Sequence, residues 1–225
     1  MDIANELIKF NDSQLPENFV SIAVRVEEKH PHHAAILIRH KTKDYLHHFP
    51  GSDPPEVAEK FDGNGWYIYK ILDSFNVDDE SEIGSFLQHC IRVCNKSDIT
   101  YSYILDGSSY DSDGNFNSPV GLPELGTCVG FCINTLSSTI IDAETSYLEL
   151  GDWDDSDLVA SVDQFALLQV GNKYPDIDWA LYNAFKKRIT PLEYLCTSFF
   201  KEYPIKKVTI DTIKDEVLED IRSKY

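Results

Sequence analysis

With 225 residues, 42% hydrophobic and 26% charged, the chain can bury one large core, or one domain with an appended section, and falls outside the disordered classes. A formal net charge of −18 excludes broad contact with nucleic-acid phosphates or an anionic membrane surface. No basic start followed by a long apolar run opens the chain, no stretch nears a membrane span, and five cysteines without framework spacing suit a reducing compartment. The expectation is a soluble cytoplasmic protein, with export by a signal-independent machine left open. Much of the negative charge is local, at Asp78–Glu80, Asp152–Asp157 and Asp215–Asp220. Such runs are solvated faces, or an acidic surface for a basic partner.

Taken in order, Ile3 to Phe10 is a short amphipathic segment followed by a polar turn. Phe19 to Val26 alternates as a strand does, with Phe19, Ser21, Ala23 and Arg25 on one face and Val20, Ile22, Val24 and Val26 on the other. Glu27 to Pro31 turns the chain into a second strand, His33 to Ile38, and Asp44 to Phe49 makes a third, which together predict an antiparallel meander. Pro50 to Pro55 breaks the pattern, and Pro55 to Phe61 is expected as a short helix. After a Gly63-Asn64-Gly65 turn, Trp66 to Leu72 reads as a fourth strand. Ser81 opens a helix with Ile83, Phe86, Leu87, Cys90, Ile91 and Cys94 at helical spacing. Tyr101 to Leu105 is loop or short extended chain, and Asp106 to Asn117 a polar, Gly-rich loop.

The last third is expected to be helical over Asp157–Gln169, Asp176–Lys187 and from Thr190 to near Lys201, with Thr190 as cap and Pro191 at the first position. A β-like run, Lys207 to Ile210, precedes a final charged helix, Asp211 to Arg222. The predicted layout is an α+β core over residues 1–141 with a helical section over 142–225 packed on it.

The stretch Gly126 to Leu136 carries the chemistry. A loop runs from Gly121 into an apolar helical pattern in which Thr127 is the N-cap and Cys128 the first helical residue, with the helix continuing to about Ile141. A thiol there faces unpaired backbone N–H groups and the positive end of the helix dipole, so its pKa is expected below the free value of about 8.5. The same N–H groups can hold an oxyanion. Cys132, one turn on, and Cys90, Cys94 and Cys196 sit in apolar helical patterns and read as core.

A cysteine nucleophile needs a base, and six of the seven histidines fall between His30 and His48. His33 starts the second strand, and His47 or His48 lies on the third. Strand alternation lets only one of that last pair face the cysteine. The plain alternative is a polar hairpin end with one or two structural histidines.

Three pieces in this order, His33-Ala34-Ala35-Ile36-Leu37-Ile38, Tyr45-Leu46-His47-His48-Phe49-Pro50 and Thr127-Cys128-Val129-Gly130-Phe131, resemble the circularly permuted, papain-like branch of the NlpC/P60 superfamily. The pattern is similar to the lecithin:retinol acyltransferase-like proteins. The Asp106 to Asp111 loop leading into Gly126-Thr127-Cys128 is similar to the cysteine approach of uncharacterised bacterial permuted members. The resemblance covers roughly residues 19–141. It implies a papain-like antiparallel sheet with a cysteine-bearing helix, Cys128 as nucleophile, His33 as general base, His47 as the orienting polar residue, and no cofactor. The chain departs from the pattern in having Ala34 or Ala35 where a small glycine is expected, and in doubled histidines, His32 with His33 and His47 with His48, so the register stays open by one. No transmembrane tail like that of the lipid-handling acyltransferases is present in the sequence, which favours peptide, amide or acyl-ester substrates over membrane lipid. The reaction implied is attack of Cys128 on a carbonyl, a thioester intermediate, and release to water or a second acceptor: a peptidase or amidase, or an acyltransferase. The Pro50–Pro55 turn and the Asp106–Asn117 loop are expected to rim the cleft.

Two other readings compete. Cys90 with Cys94, and Cys128 with Cys132, form pairs that histidines could join around zinc, although i, i+4 spacing inside apolar helix faces is core spacing. Alternatively the chain is a non-catalytic, acidic partner-binding or inhibitor protein that associates with a basic protein. In that case Tyr101, Tyr103, Tyr110 and Trp66 line a groove, or simply the core.

Overall fold

A computed structural model describes residues 3–10, 15–62, 64–141, 145–153 and 163–225. The chain opens with a one-turn helix, α1 (Ile3–Glu6), and a two-residue strand, β1 (Ile8–Lys9). Three long strands follow, β2 (Phe19–Glu27), β3 (His30–His40) and β4 (Lys43–His48). Both connections are two-residue turns with positive φ at each position, Glu28 and Lys29 at 49° and 64°, Lys41 and Thr42 at 53° and 64°. That turn geometry suits the right-handed twist of paired strands. The second turn is tied to the start of β2 by Lys41 N–H donating to Asn18 Oδ1 and Thr42 N–H to Glu17 O, each at 2.9 Å.

Strands β5 (Glu56–Ala58) and β6 (Tyr67–Ile71) complete a six-stranded antiparallel sheet in the order β1-β6-β2-β3-β4-β5. The architecture is α+β. The sheet is not a simple meander, because β6 returns to the far side of β2, with Ala23 opposite Tyr69. The helix expected over Pro55–Phe61 is instead this edge strand: Glu56, Val57 and Ala58 pair with His48, His47 and Leu46. Its backbone satisfies the free edge of β4, and that long-range gain outweighs any local helical preference.

Helix α2 (Glu80–Lys96) is capped by Asp79, whose Oδ1 accepts from the N–H groups of Ser81 and Glu82 at 3.0 Å. It therefore starts one residue before the expected opening at Ser81. Beyond it, β7 (Thr100–Tyr101), β8 (Ser109–Tyr110), β9 (Phe116–Asn117) and β10 (Leu125–Gly126) are two-residue strands. The Gly-rich loop is thus a hairpin, and it docks on α2. A Cβ at Gly114 (φ +84°) would lie 2.6 Å from the carbonyl carbon of Arg92, so only glycine allows this approach. Helix α3 (Cys128–Ile140) follows.

The C-terminal helices are α4 (Gln164–Lys173), α5 (Trp179–Ala184), α6 (Pro191–Thr197), α7 (Lys207–Asp211) and α8 (Lys214–Ser223). Thr190 and Glu193 form a capping box at α6, with Pro191 just inside it, as the sequence leads one to expect. The helix stops at Thr197, short of Lys201. Lys207–Asp211 is helical where a β-like run was expected; it buries Ile210 in the core and has no strand to pair with among the described residues. The start of the helix expected from Asp157, the acidic run beyond Trp153, Gly63, and most of the polar turn after Phe10 lie outside the described residues.

Both faces of the sheet are covered. Val20, Ile22, Val24, Ala34, Ile36 and Ile38 face a core shared with Ile83 and Cys90 of α2, Val129 and Cys132 of α3, Tyr194 and Leu195 of α6, and Val217 and Ile221 of α8. The helical section thus contributes to the same core as α3. Phe19, Ala23, Ala35, Leu37, Leu46, Tyr67 and Tyr69 form a second core with Phe10 on the opposite face. Each fully buried Ile, Val or Leu contributes about 2 kcal/mol relative to exposure, which is why β2 and β3 are apolar on both faces at their centres.

Candidate functional site

Thr127 caps α3 as its sequence position predicts: its Oγ1 accepts from Gly130 N–H at 3.3 Å. Cys128 is the first helical residue and half-buried. Its thiol lies against β3, where Ala34 pairs with Val24 of β2 on one side only, because β4 ends at His48. Backbone hydrogen bonding from Ala34, Val129 and Cys128 itself favours the thiolate, yet burial is the larger effect and pushes the thiol pKa up. The expected depression by the helix terminus is therefore reversed: desolvation of a half-buried thiol outweighs a few partial charges.

His33, one residue before Ala34, is half-buried. Its Nε2 lies 2.9 Å from Nδ1 of His48, and the rings meet edge to face at 5.1 Å. His48 Nε2 lies 3.4 Å from Glu56 Oε1. Glu56, His48 and His33 form a chain that ends at His33, whose Nδ1 makes no hydrogen bond among the described residues. Burial, then the nearby His48 and Arg25, bring the His33 pKa down to about 4. Burial also lowers that of His48, against an opposing pull from Glu56. At neutral pH both imidazoles of the chain are therefore uncharged. No hydrogen bond joins His33 to Cys128. The thiol meets β3 at the Ala34 backbone on the helix-covered face, and the His33 side chain leaves the strand one residue earlier, toward the other face.

His47 sits elsewhere. The β3–β4 register sets His47 opposite Ile36 and Leu46 opposite Leu37. His48 and His33 thus share the face of Ala35 and Leu37, and His47 takes the face covered by helices. There it is fully buried and stacked on Phe131 at 4.7 Å. Its Nδ1 lies 3.3 Å from Cys94 Sγ, and its Nε2 lies 3.0 Å from Thr135 Oγ1. Burial, then His48 and His89, lower its pKa to about 3. Burial and then Glu56 push the Cys94 thiol up to about 12. This pair is neutral on both sides. The structure thus places His48, not His47, beside His33.

The Pro50–Gly51 turn packs on Tyr101, where a Gly51 Cβ would meet the ring at 3.4 Å. Tyr101 is the register partner of Gly126, two residues before Cys128, so this turn lies on the cysteine side. The Asp106–Asn117 loop does not. Its Ser108, Ser109 and Asn117 wall a cavity of about 370 Å³ with Asn134 and Ser137 of α3, and Cys128 is not part of that wall. Tyr110 is core, fully buried, and Trp66 is exposed.

The sequence carries no signal for Glu56, because three residues after a double proline offer little periodicity. The Cys94–His47 contact was equally hidden, since Cys94 fits a core pattern. Among the described residues no three His, Cys, Asp or Glu side chains converge as a metal site requires. No helix among them is long and apolar enough to cross a membrane. Comparison with known proteins finds no matching family, no matching curated protein and no matching solved structure.

Proposed function

We propose that the chain is a cysteine-dependent hydrolase or acyltransferase that works through Cys128, His33 and His48, on the permuted papain-like plan that the sequence resembles. The observation that carries this reading is the Glu56–His48–His33 relay. It presents His33 Nδ1 on the strand that abuts the Cys128 thiol.

The chemistry follows from the charges. With the thiol pKa raised and the imidazole pKa lowered, the pair rests as thiol and neutral imidazole, not as an ion pair. His33 then takes the Cys128 proton through a bridging water, around the edge of β3 that β4 leaves unpaired, as sulfur attacks an amide or ester carbonyl. The oxyanion forms beside the first N–H groups of α3, and the leaving group collects the proton from His33. Water or a second acceptor resolves the thioester. His48 fixes the ring orientation, and Glu56 stabilises the charge that develops on the relay.

The test is iodoacetamide labelling of each cysteine, read by peptide mass spectrometry across pH 6 to 9, for wild type and His33→Ala. The expected result is that Cys128 labels faster than the buried Cys90, Cys132 and Cys196, and that His33→Ala slows it at least about tenfold at pH 7. Equal labelling of Cys128 and Cys132, unchanged in the variant, would sink the reading. The partner-binding alternative is favoured by one observation, the upward shift of the Cys128 thiol, which an inert cysteine would also have. Inert labelling together with capture of a basic protein would replace the enzyme reading.

A further inference from the structure

Of the five arginines, four donate to a protein acceptor: Arg25 to Glu27, Arg39 to Asp44, Arg92 to the Ser112 carbonyl, and Arg222 to Glu219. Arg188 is half-buried and donates to none of the described residues. Its guanidinium lies 6.0 Å from the centre of the Tyr103 ring, at the outer edge of a cation–π contact. In a chain with 38 acidic and 20 basic residues, a half-buried cation with no anion among the described residues stands out. Its five N–H donors suit a planar acceptor, and none of them is taken by a described residue.

The topology places it across one extended segment from the thiol. Strands β10 and β7 run parallel, with Gly126 beside Tyr101, and Ser102 N–H donates to Gly126 O at 3.1 Å. On the other flank, Lys187 N–H donates to Tyr103 O at 2.7 Å, next to the Ile104–Lys186 bridge. Three extended segments therefore lie side by side, and following the outer two by one or two residues reaches Cys128 on one side and Arg188 on the other. Between them stand Tyr101 and Tyr103, with hydroxyls 3.3 Å apart. The Tyr101 phenol senses both ends: burial and Tyr103 raise its pKa, Cys128 raises it further, and Arg188 lowers it.

We infer that Arg188 is the specificity-determining residue of the Cys128 site and receives a carboxylate of the substrate across the Tyr101–Tyr103 pair, so that the substrate class is acidic amides or esters. The inference rests on the thiol reading above. A guanidinium matches a carboxylate with two parallel N–H donors, and it acts where the surrounding acidic surface would otherwise repel such a substrate.

The test compares two alkylating reagents of nearly equal size, iodoacetate and iodoacetamide, on the whole protein. The ratio of their rates at Cys128 cancels the thiolate fraction and reports the local field. In Arg188→Gln this ratio is expected to fall about fivefold, while Arg188→Lys retains most of it. Arg222→Gln removes the same charge at a distance and should leave it unchanged. A ratio untouched by Arg188→Gln, or lowered equally by Arg222→Gln, overturns the inference and leaves the thiol reading standing. If Cys128 reacts with both reagents no faster than Cys132, the thiol reading fails and the inference falls with it.

Discussion

His47 and His48 are adjacent in the chain, yet they lie on opposite faces of β4 and do opposite things. His47 enters the helix-covered core and is fully buried, with Cys94, Thr135 and the Phe131 ring around it. His48 points to the other face, half-buried, and joins His33 to Glu56. The same imidazole is thus a core element in one place and the middle of a hydrogen-bonded chain in the other. What differs is solvent: full desolvation keeps His47 neutral, whereas His33 and His48 are only half-buried.

Removing His47 should produce the largest effect. His47→Ala deletes a buried ring, opens a cavity against Phe131 and leaves Cys94 without its nitrogen partner. A loss of about 3 kcal/mol is expected, read as a lower urea midpoint with an unchanged slope. His48→Ala should cost about 1 kcal/mol or less by the same measurement while slowing Cys128 labelling. Equal losses at the two positions would break the comparison.

A smaller, pH-dependent effect sharpens it. The folded pKa of His47, about 3, lies below the ordinary 6.5. Between those values the unfolded chain binds the proton and the native chain does not. The stability held by neutral His47 is therefore complete above about pH 6.5 and is lost as the pH falls toward 3. From pH 7 to pH 5 the loss is about 2 kcal/mol. His47→Phe, which keeps a ring against Phe131, should fold and show that much less acid sensitivity. An unchanged acid profile in His47→Phe would mean that other groups govern it.

The smallest expected effect lies in the relay itself. His48 is one of the charges that hold the His33 pKa down, after burial. In His48→Ala the His33 titration, followed by NMR of the ring Cε1 proton, should move up from about 4 toward its ordinary value. No movement would mean that burial alone sets it.

The sequence by itself determined the local parts: the β2–β3–β4 strands from their alternation, the Thr127 cap, the capping box at Thr190, and the placing of Cys128 at a helix start. These are encoded within a few residues, because backbone geometry and capping act over that range. Only the tertiary structure decided which histidine serves which face, since His33 meets His48 across 15 residues and His47 meets Thr135 across 88. It also decided that Glu56–Ala58 becomes an edge strand, because β4 had an unpaired side, and that Lys207–Asp211 becomes a helix, because Ile210 could be buried. The Cys128 pKa was settled the same way. A helix terminus is visible in the sequence, but the desolvation that overrides it comes from chain segments packed around the thiol, and no local pattern records them.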